Sequence, residues 1–292
     1  MNKKYITHIL ILLIIIENAF TQSIISKTYN VENTIDYWTE ERMANAKPLL
    51  SSNKLNKTVS NDRKDSFANV PDLNNSEILT DKPLAVGKLF FTSHGESYTC
   101  TASVIDTSDG NIGITAAHCL YAEGEFSEDV IFYPGYDNGK PSRLGKIVVL
   151  KISVPNNYIN FEDDDYGAIL FKYQGKLKDH TGSFGWGLNP PDQVKIVAWG
   201  YPAIGDMNCG EGTTDGKTCC IWRGDATLEH PPARRVPAYF GKGSSGGPWI
   251  MKETLPHYLG YLIGVTAYHI DEHSEYSDVL NFALVRQLIK FE

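Results

Sequence analysis

Gly243-Ser244-Ser245-Gly246-Gly247-Pro248 decides the fold, because a serine set among glycines fits two unrelated architectures. Read as Gly-x-Ser-x-Gly, it is the nucleophile elbow of α/β-hydrolases. That architecture needs its acid and its histidine after the serine, and helices alternating with parallel strands before it. Little chain follows Ser245, and no such alternation precedes it. The partners of this serine must then lie upstream.

Two upstream strings supply them. Thr115-Ala116-Ala117-His118-Cys119 sets a histidine beside a cysteine, and Asp165-Tyr166-Gly167-Ala168 follows the acidic pair Asp163-Asp164. A serine hydroxyl is a poor nucleophile near neutral pH until an imidazole takes its proton. The imidazole in turn needs a carboxylate to hold its tautomer. Singly, each string is ordinary: a lone histidine is usually structural, an acidic run a solvated turn, a Gly-Ser-Gly stretch a loop. All three in the order His, Asp, Ser are not well explained by chance.

The strings resemble those of the chymotrypsin-like, trypsin-fold serine endopeptidases. Phe132-Tyr133-Pro134-Gly135-Tyr136, Gly200-Tyr201-Pro202 and the run from Gly243 to Trp249 resemble the secreted bacterial and fungal branch, including relatives of glutamyl endopeptidases. The resemblance runs from about Ala85 to the C-terminus. It implies that Ser245 is the nucleophile, that His118 is the general base and then the acid for the leaving amine, and that Asp165 is the orienting carboxylate. Asp165 is preferred to Asp163 and Asp164 because it stands two residues before the small Gly167. The backbone N–H groups of Gly243 and Ser245 are implied as the oxyanion hole. A Cys100–Cys119 disulfide is implied too, worth roughly 3 kcal/mol on the chain-entropy model. Cys209 is expected to pair with Cys219 or Cys220, which leaves one thiol over. A zinc site built from these cysteines and His230 fits no common ligand spacing, so no metal or cofactor is expected.

The chain also departs from the family pattern. Ser244 stands where the usual motif has an aspartate that pairs with a freshly cut N-terminus, and a serine cannot supply that ion pair. Tyr239, six residues before Ser245, stands where trypsin carries the acid that binds Arg or Lys, which argues against basic specificity. Thr266 occupies the place of the histidine of glutamyl endopeptidases, with His269 three residues on. Glutamyl preference stays open. Residues 209 to 236, with Arg223 and the Arg234-Arg235 pair, read as an insertion near the pocket.

The net charge of −8 and the lack of a basic run exclude nucleic-acid or anionic-membrane binding as the main task. Protein or peptide substrates and a monomer are expected instead. At the start, Lys3 and Lys4 precede an apolar run from Ile9 to Ile16, and small residues at Ala19 and Thr21 suit a cut near Gln22. Residues 1–21 therefore read as a signal peptide, too short in its apolar run to span a bilayer, and the protein as secreted.

Residues 22–84 are rich in Asn, Ser, Lys and Asp, and carry glycosylation sequons at Asn56 and Asn74. One island stands out: Tyr37-Trp38-Thr39-Glu40-Glu41-Arg42-Met43, running on to Lys47-Pro48-Leu49. Thr39 is expected to cap a short helix that Pro48 ends. The island resembles part of the pro-regions of secreted trypsin-like peptidases. It makes 22–84 a pro-segment, removed or clamped on the enzyme, with a flexible linker as the alternative.

From Val86 the chain becomes short runs of Val, Ile, Tyr, Phe and Thr punctuated by Gly, Asn, Asp and Pro. These are Val86 to Thr92, Tyr98 to Ile105, Ile112 to Ala116, Val130 to Tyr133, Ile147 to Val154, Val194 to Trp199, Pro248 to Met251 and Tyr261 to Ala267. The pattern predicts an all-β domain over 85–292: two packed six-stranded antiparallel barrels with the site in the cleft between them, then a short C-terminal helix capped by Ser277. The function implied is a secreted serine endopeptidase acting through an acyl-enzyme. The rival is a secreted, non-catalytic homologue that binds a partner.

Overall fold

The structure is a computed structural model that describes residues 24–49, 52–53, 82–140, 142–210, 213–229 and 233–291. The expected signal peptide and both sequons lie outside the described residues.

Three strands precede the main domain: β1 (Ile24–Thr28), β2 (Lys47–Pro48) and β3 (Ser52–Asn53). The first half then supplies β4 (Val86–Ser93), β5 (Glu96–Val104), β6 (Ile112–Thr115), β7 (Tyr121–Ala122), β8 (Glu125–Phe126), β9 (Glu128–Pro134), β10 (Ile147–Pro155) and β11 (Gly167–Phe171). The second half supplies β12 (Gln193–Gly200), β13 (Cys220–Leu228), β14 (Ala233–Val236), β15 (Pro248–Thr254), β16 (Leu259–Val265), β17 (Tyr268–Asp271) and β18 (Ser274–Asp278).

The first barrel runs β10-β11-β6-β5-β4-β9, all antiparallel, and closes where Ile147 and Val148 of β10 face Phe132 and Ile131 of β9. Alternation along β4 explains its burial on both faces. Leu89 and Phe91 enter the barrel interior with Val104, Phe132 and Ile169. Val86 and Phe90 point the other way, into a second apolar cluster with Trp38 and Trp199.

The second sheet runs β16-β15-β12-β13-β14-β18-β17-β3. It curls until β16 meets β18, where Val265 N–H donates to Ser277 Oγ at 2.9 Å and Ala267 N–H to Tyr276 O at 2.9 Å. Ile196, Trp222, Val236, Phe240, Trp249 and Ile263 fill its interior.

Two expectations are corrected here. Within residues 209–236, Cys220–Leu228 and Ala233–Val236 are not inserted: β13 pairs with β12 from Cys220 to Thr227 and β14 joins β13 to β18, so Arg223, Arg234 and Arg235 sit on barrel strands. Ser277 is not a helix cap, since it lies within β18. The terminal helix, Phe282–Leu288, is capped instead by Asn281, whose Oδ1 accepts from Ala283 and Leu284 N–H.

The N-terminal residues are woven into the first half. Antiparallel β1 lies along β10 from Ile24–Pro155 to Thr28–Lys151. Trp38 is fully buried, its indole N–H donating to Asp129 O and its carbonyl accepting from Lys146 Nζ at 2.6 Å. Thr39 caps the helix Glu40–Asn45, its Oγ1 accepting from Arg42 N–H. Then β2 runs parallel to β5, with Lys47 opposite Tyr98 and Pro48 opposite Thr99, and β3 runs parallel to β17. This short stretch therefore passes from the first sheet to the second.

Candidate active site

His118 sits on the 3-10 turn Ala117–Cys119 that follows β6. A Cys100–Cys119 disulfide ties that turn to β5, as the resemblance implied. Asp165 directly precedes Tyr166 and β11, which pairs with β6 through Gly167 opposite Thr115. The pairing brings histidine and aspartate together. His118 Nδ1 lies 2.8 Å from Asp165 Oδ2, and His118 N–H donates to Asp165 Oδ1 at 3.0 Å. With both carboxylate oxygens engaged on one residue, Nδ1 carries the proton and Nε2 is left as the acceptor. Asp164 is engaged elsewhere, accepting from Asn157 and from the Tyr166 hydroxyl.

The aspartate is held from the other barrel as well. Asp165 N–H donates to Asp278 Oδ2 at 2.8 Å, and both residues are buried. Asp278 closes β18, far away in sequence.

Ser245 lies on the turn before β15. Gly243 has φ +88°, and a Cβ there would come within 2.6 Å of Tyr201 O; Gly246 has φ +80°, and a Cβ there would meet Thr115 Oγ1 at 2.0 Å. Only glycine lets the turn curl this closely under the first barrel. Thr101 of β5 grips it: its N–H donates to Ser245 O at 2.8 Å and its hydroxyl to Gly243 O at 2.9 Å. Cys119 Sγ lies 3.9 Å from Ser245 O, so histidine turn and serine turn adjoin. Ser244 Oγ donates to Gly241 O within the turn, a local use in place of an ion pair.

Two of the expected reactive atoms are among the buried polar atoms left without a partner. Ser245 Oγ and His118 Nε2 are both buried, and neither has a hydrogen-bond partner among the described residues. Buried polar atoms are almost always paired, and a catalytic role is one reason for an exception. The N-terminal stretch intrudes here too. Gly243 N–H donates to Leu49 O at 3.0 Å, while Leu49 N–H donates to Thr99 O at 2.9 Å.

Two of the residues considered for specificity meet on the second barrel. The Tyr239 and His269 rings meet edge to face at 5.0 Å. Thr266 is buried, and its Oγ1 accepts from the Trp249 indole at 3.0 Å. Next to Tyr239, Phe240 N–H donates to Oε2 of the fully buried Glu275, whose Oε1 has no partner among the described residues. Burial pushes the Glu275 carboxyl well above its ordinary range. Sequence reading placed Leu49 in the island that could clamp on the enzyme but missed Thr101, Asp278 and Glu275. Of these, only Thr101 carried a signal, its place beside a bridging cysteine.

Cys209 pairs with Cys220, which leaves Cys219 as the buried odd thiol, its pKa raised by burial to about 12. The ligand atoms of Cys100, His118 and Cys119 lie within 4.8 Å of one another, but both sulfurs belong to a disulfide and offer no thiolate to a metal.

Residues 83–285 match the family model described as Trypsin. Solved structures agree in fold. A thermostable serine protease, AL20, from an extremophilic microorganism is 21% identical with TM-score 0.62, covering 70% of this chain and 95% of its own. The protease Anisep from Arthrobacter nicotinovorans is 26% identical with TM-score 0.58, covering 67% and 89%. A Glu endopeptidase is 19% identical with TM-score 0.55, covering 70% and 88%. An inactivated protease paralogue of the scabies mite shares the fold at 14% identity and TM-score 0.53, covering 72% and 96%. No curated protein matches the chain in sequence.

Proposed function

The chain belongs to the trypsin family, and from that premise we propose that it is a secreted serine endopeptidase that cleaves peptide bonds through Ser245, His118 and Asp165. The observation that carries the reading is the doubly held carboxylate: Asp165 grips both the ring Nδ1 and the N–H of His118, which fixes Nε2 as a base. Ser245 Oγ attacks the scissile carbonyl as His118 Nε2 takes its proton. His118 then protonates the leaving amine, and water hydrolyses the acyl-enzyme by the same route. Gly243 and Ser245 N–H groups stabilise the developing oxyanion.

Two disulfides suit an exported protein. No helix among the described residues is long and apolar enough to cross a membrane. The N-terminal residues act as a pro-segment clamped on the enzyme, one that slows it without silencing it, because Leu49 O competes for the Gly243 donor that a substrate carbonyl needs.

The test is labelling with a fluorophosphonate probe and cleavage of a peptide library, for the native chain and for Ser245→Ala. Labelling and cleavage are expected for the first and neither for the second; cleavage that persists in Ser245→Ala overturns the assignment. The inactivated mite paralogue shows that this fold also occurs without activity. A native chain that never labels favours the binding-protein reading.

A further inference from the structure

Thr101 touches the nucleophile turn twice. Its N–H holds the Ser245 carbonyl at 2.8 Å, and its hydroxyl donates to the Gly243 carbonyl at 2.9 Å. The same hydroxyl oxygen accepts from Tyr201 N–H at 3.0 Å. That third contact settles where the proton points. With one lone pair engaged by Tyr201, the hydroxyl hydrogen is directed to Gly243. Thr101 O in turn accepts from Thr115 Oγ1 at 2.7 Å, on the strand that leads to His118. Thr101 is fully buried, and its β-branched side chain has little χ1 freedom.

Gly243 is the residue that most needs such a grip. Its φ of +88° lies in the region only glycine enters freely, and glycine has the widest choice of neighbouring ψ values. Free rotation about its ψ would turn the Gly243 carbonyl against its own N–H, the implied oxyanion donor, and would swing the Ser245 backbone two residues on. Hydrogen-bond donors stabilise an oxyanion only when aimed at it before it forms.

We propose that the Thr101 hydroxyl is a positioning group for the oxyanion site, locking the Gly243 carbonyl so that the Gly243 and Ser245 N–H groups converge. The inference rests on the assignment of Ser245 as nucleophile. Thr101 itself touches no reacting atom. It works from the first barrel on a turn that belongs to the second.

The test uses the full chain and steady-state hydrolysis of a small ester. Thr101→Val keeps the shape but removes the hydroxyl. It is expected to lower kcat by about 10- to 100-fold while KM stays within about twofold, because the lost quality is alignment in the transition state. Thr101→Ser keeps the hydroxyl and loses only a methyl, so its kcat is expected at the native value even if its melting temperature falls. A folded Thr101→Val with native kcat overturns the proposal. If Thr101→Val does not fold, the serine variant decides: a folded Thr101→Ser with kcat lowered tenfold or more overturns it equally. Ser245→Ala runs alongside. A native chain no faster than Ser245→Ala removes the site assignment and this proposal together, whereas a fast native chain with an equally fast Thr101→Val removes this proposal alone.

Discussion

The carbonyl of Leu49 accepts a hydrogen bond from Gly243 N–H at 3.0 Å, so a residue of the N-terminal stretch sits where a substrate carbonyl is to be polarised. Its own N–H is tied to Thr99 O. Substrate and Leu49 compete for one donor. Leu49→Pro deletes the tie to Thr99 and leaves the competing carbonyl less firmly placed. One net hydrogen bond is worth about 1 kcal/mol, so the rate of fluorophosphonate labelling of the full chain should rise about fivefold. An unchanged rate in a folded variant would show that Leu49 does not limit access.

Asp278 anchors the triad acid through Asp165 N–H. Asp278→Ala leaves that buried N–H unpaired and lets the carboxylate wander from His118. A loss of about tenfold in kcat is expected, the equivalent of one hydrogen bond of roughly 1.4 kcal/mol. Asp278→Asn, which still offers an amide oxygen, should recover most of it. Equal losses in both variants would show that the acceptor geometry is not what counts.

Glu275 carries a pH signature in stability. Burial raises its folded pKa well above the unfolded value, so the folded state holds a proton that the unfolded state releases. Its contribution is greatest below the unfolded pKa and is lost as pH rises towards the folded one. Glu275→Gln mimics the neutral acid. Urea melts should find the variant's advantage over the native chain growing from about pH 4 to pH 7; an advantage flat across that range would refute the account.

Trp38 lies outside the expected catalytic domain yet is fully buried against Phe90, with ring centroids 5.6 Å apart. Trp38→Ala should lower the stability of the full chain by about 3–5 kcal/mol, read as a shift of the urea midpoint. A shift under about 1 kcal/mol would mean that the N-terminal residues are only loosely docked.

The strings around His118, Asp165 and Ser245 were legible because each couples a reactive group to small neighbours within a few residues. The strands β4 to β6, β9, β10, β12, β15 and β16 were legible by their β-branched and aromatic texture. Strands β13, β14, β17 and β18 were not. Arg234 is 3% exposed yet charged, because its guanidinium donates to the carbonyls of Pro190, Pro191 and Asp192. Burial of this kind is arranged by distant backbone and leaves no periodic trace. Thr101 and Asp278 were hidden for a similar reason. Each acts across the interface between barrels, a relation that exists only once both halves have folded.

The lie of β1 along β10 changes what a proteolytic nick can achieve. A break anywhere between residues 54 and 81 severs the covalent tether but none of the ladder from Ile24 to Thr28, nor the seat of Trp38. What had been one polypeptide becomes a two-chain complex whose lifetime depends on its dissociation rate, and whose occupancy falls with dilution. The rise in activity after such a nick should therefore lag behind the nick itself by a time set by that dissociation rate, and its final extent should grow as the protein is diluted.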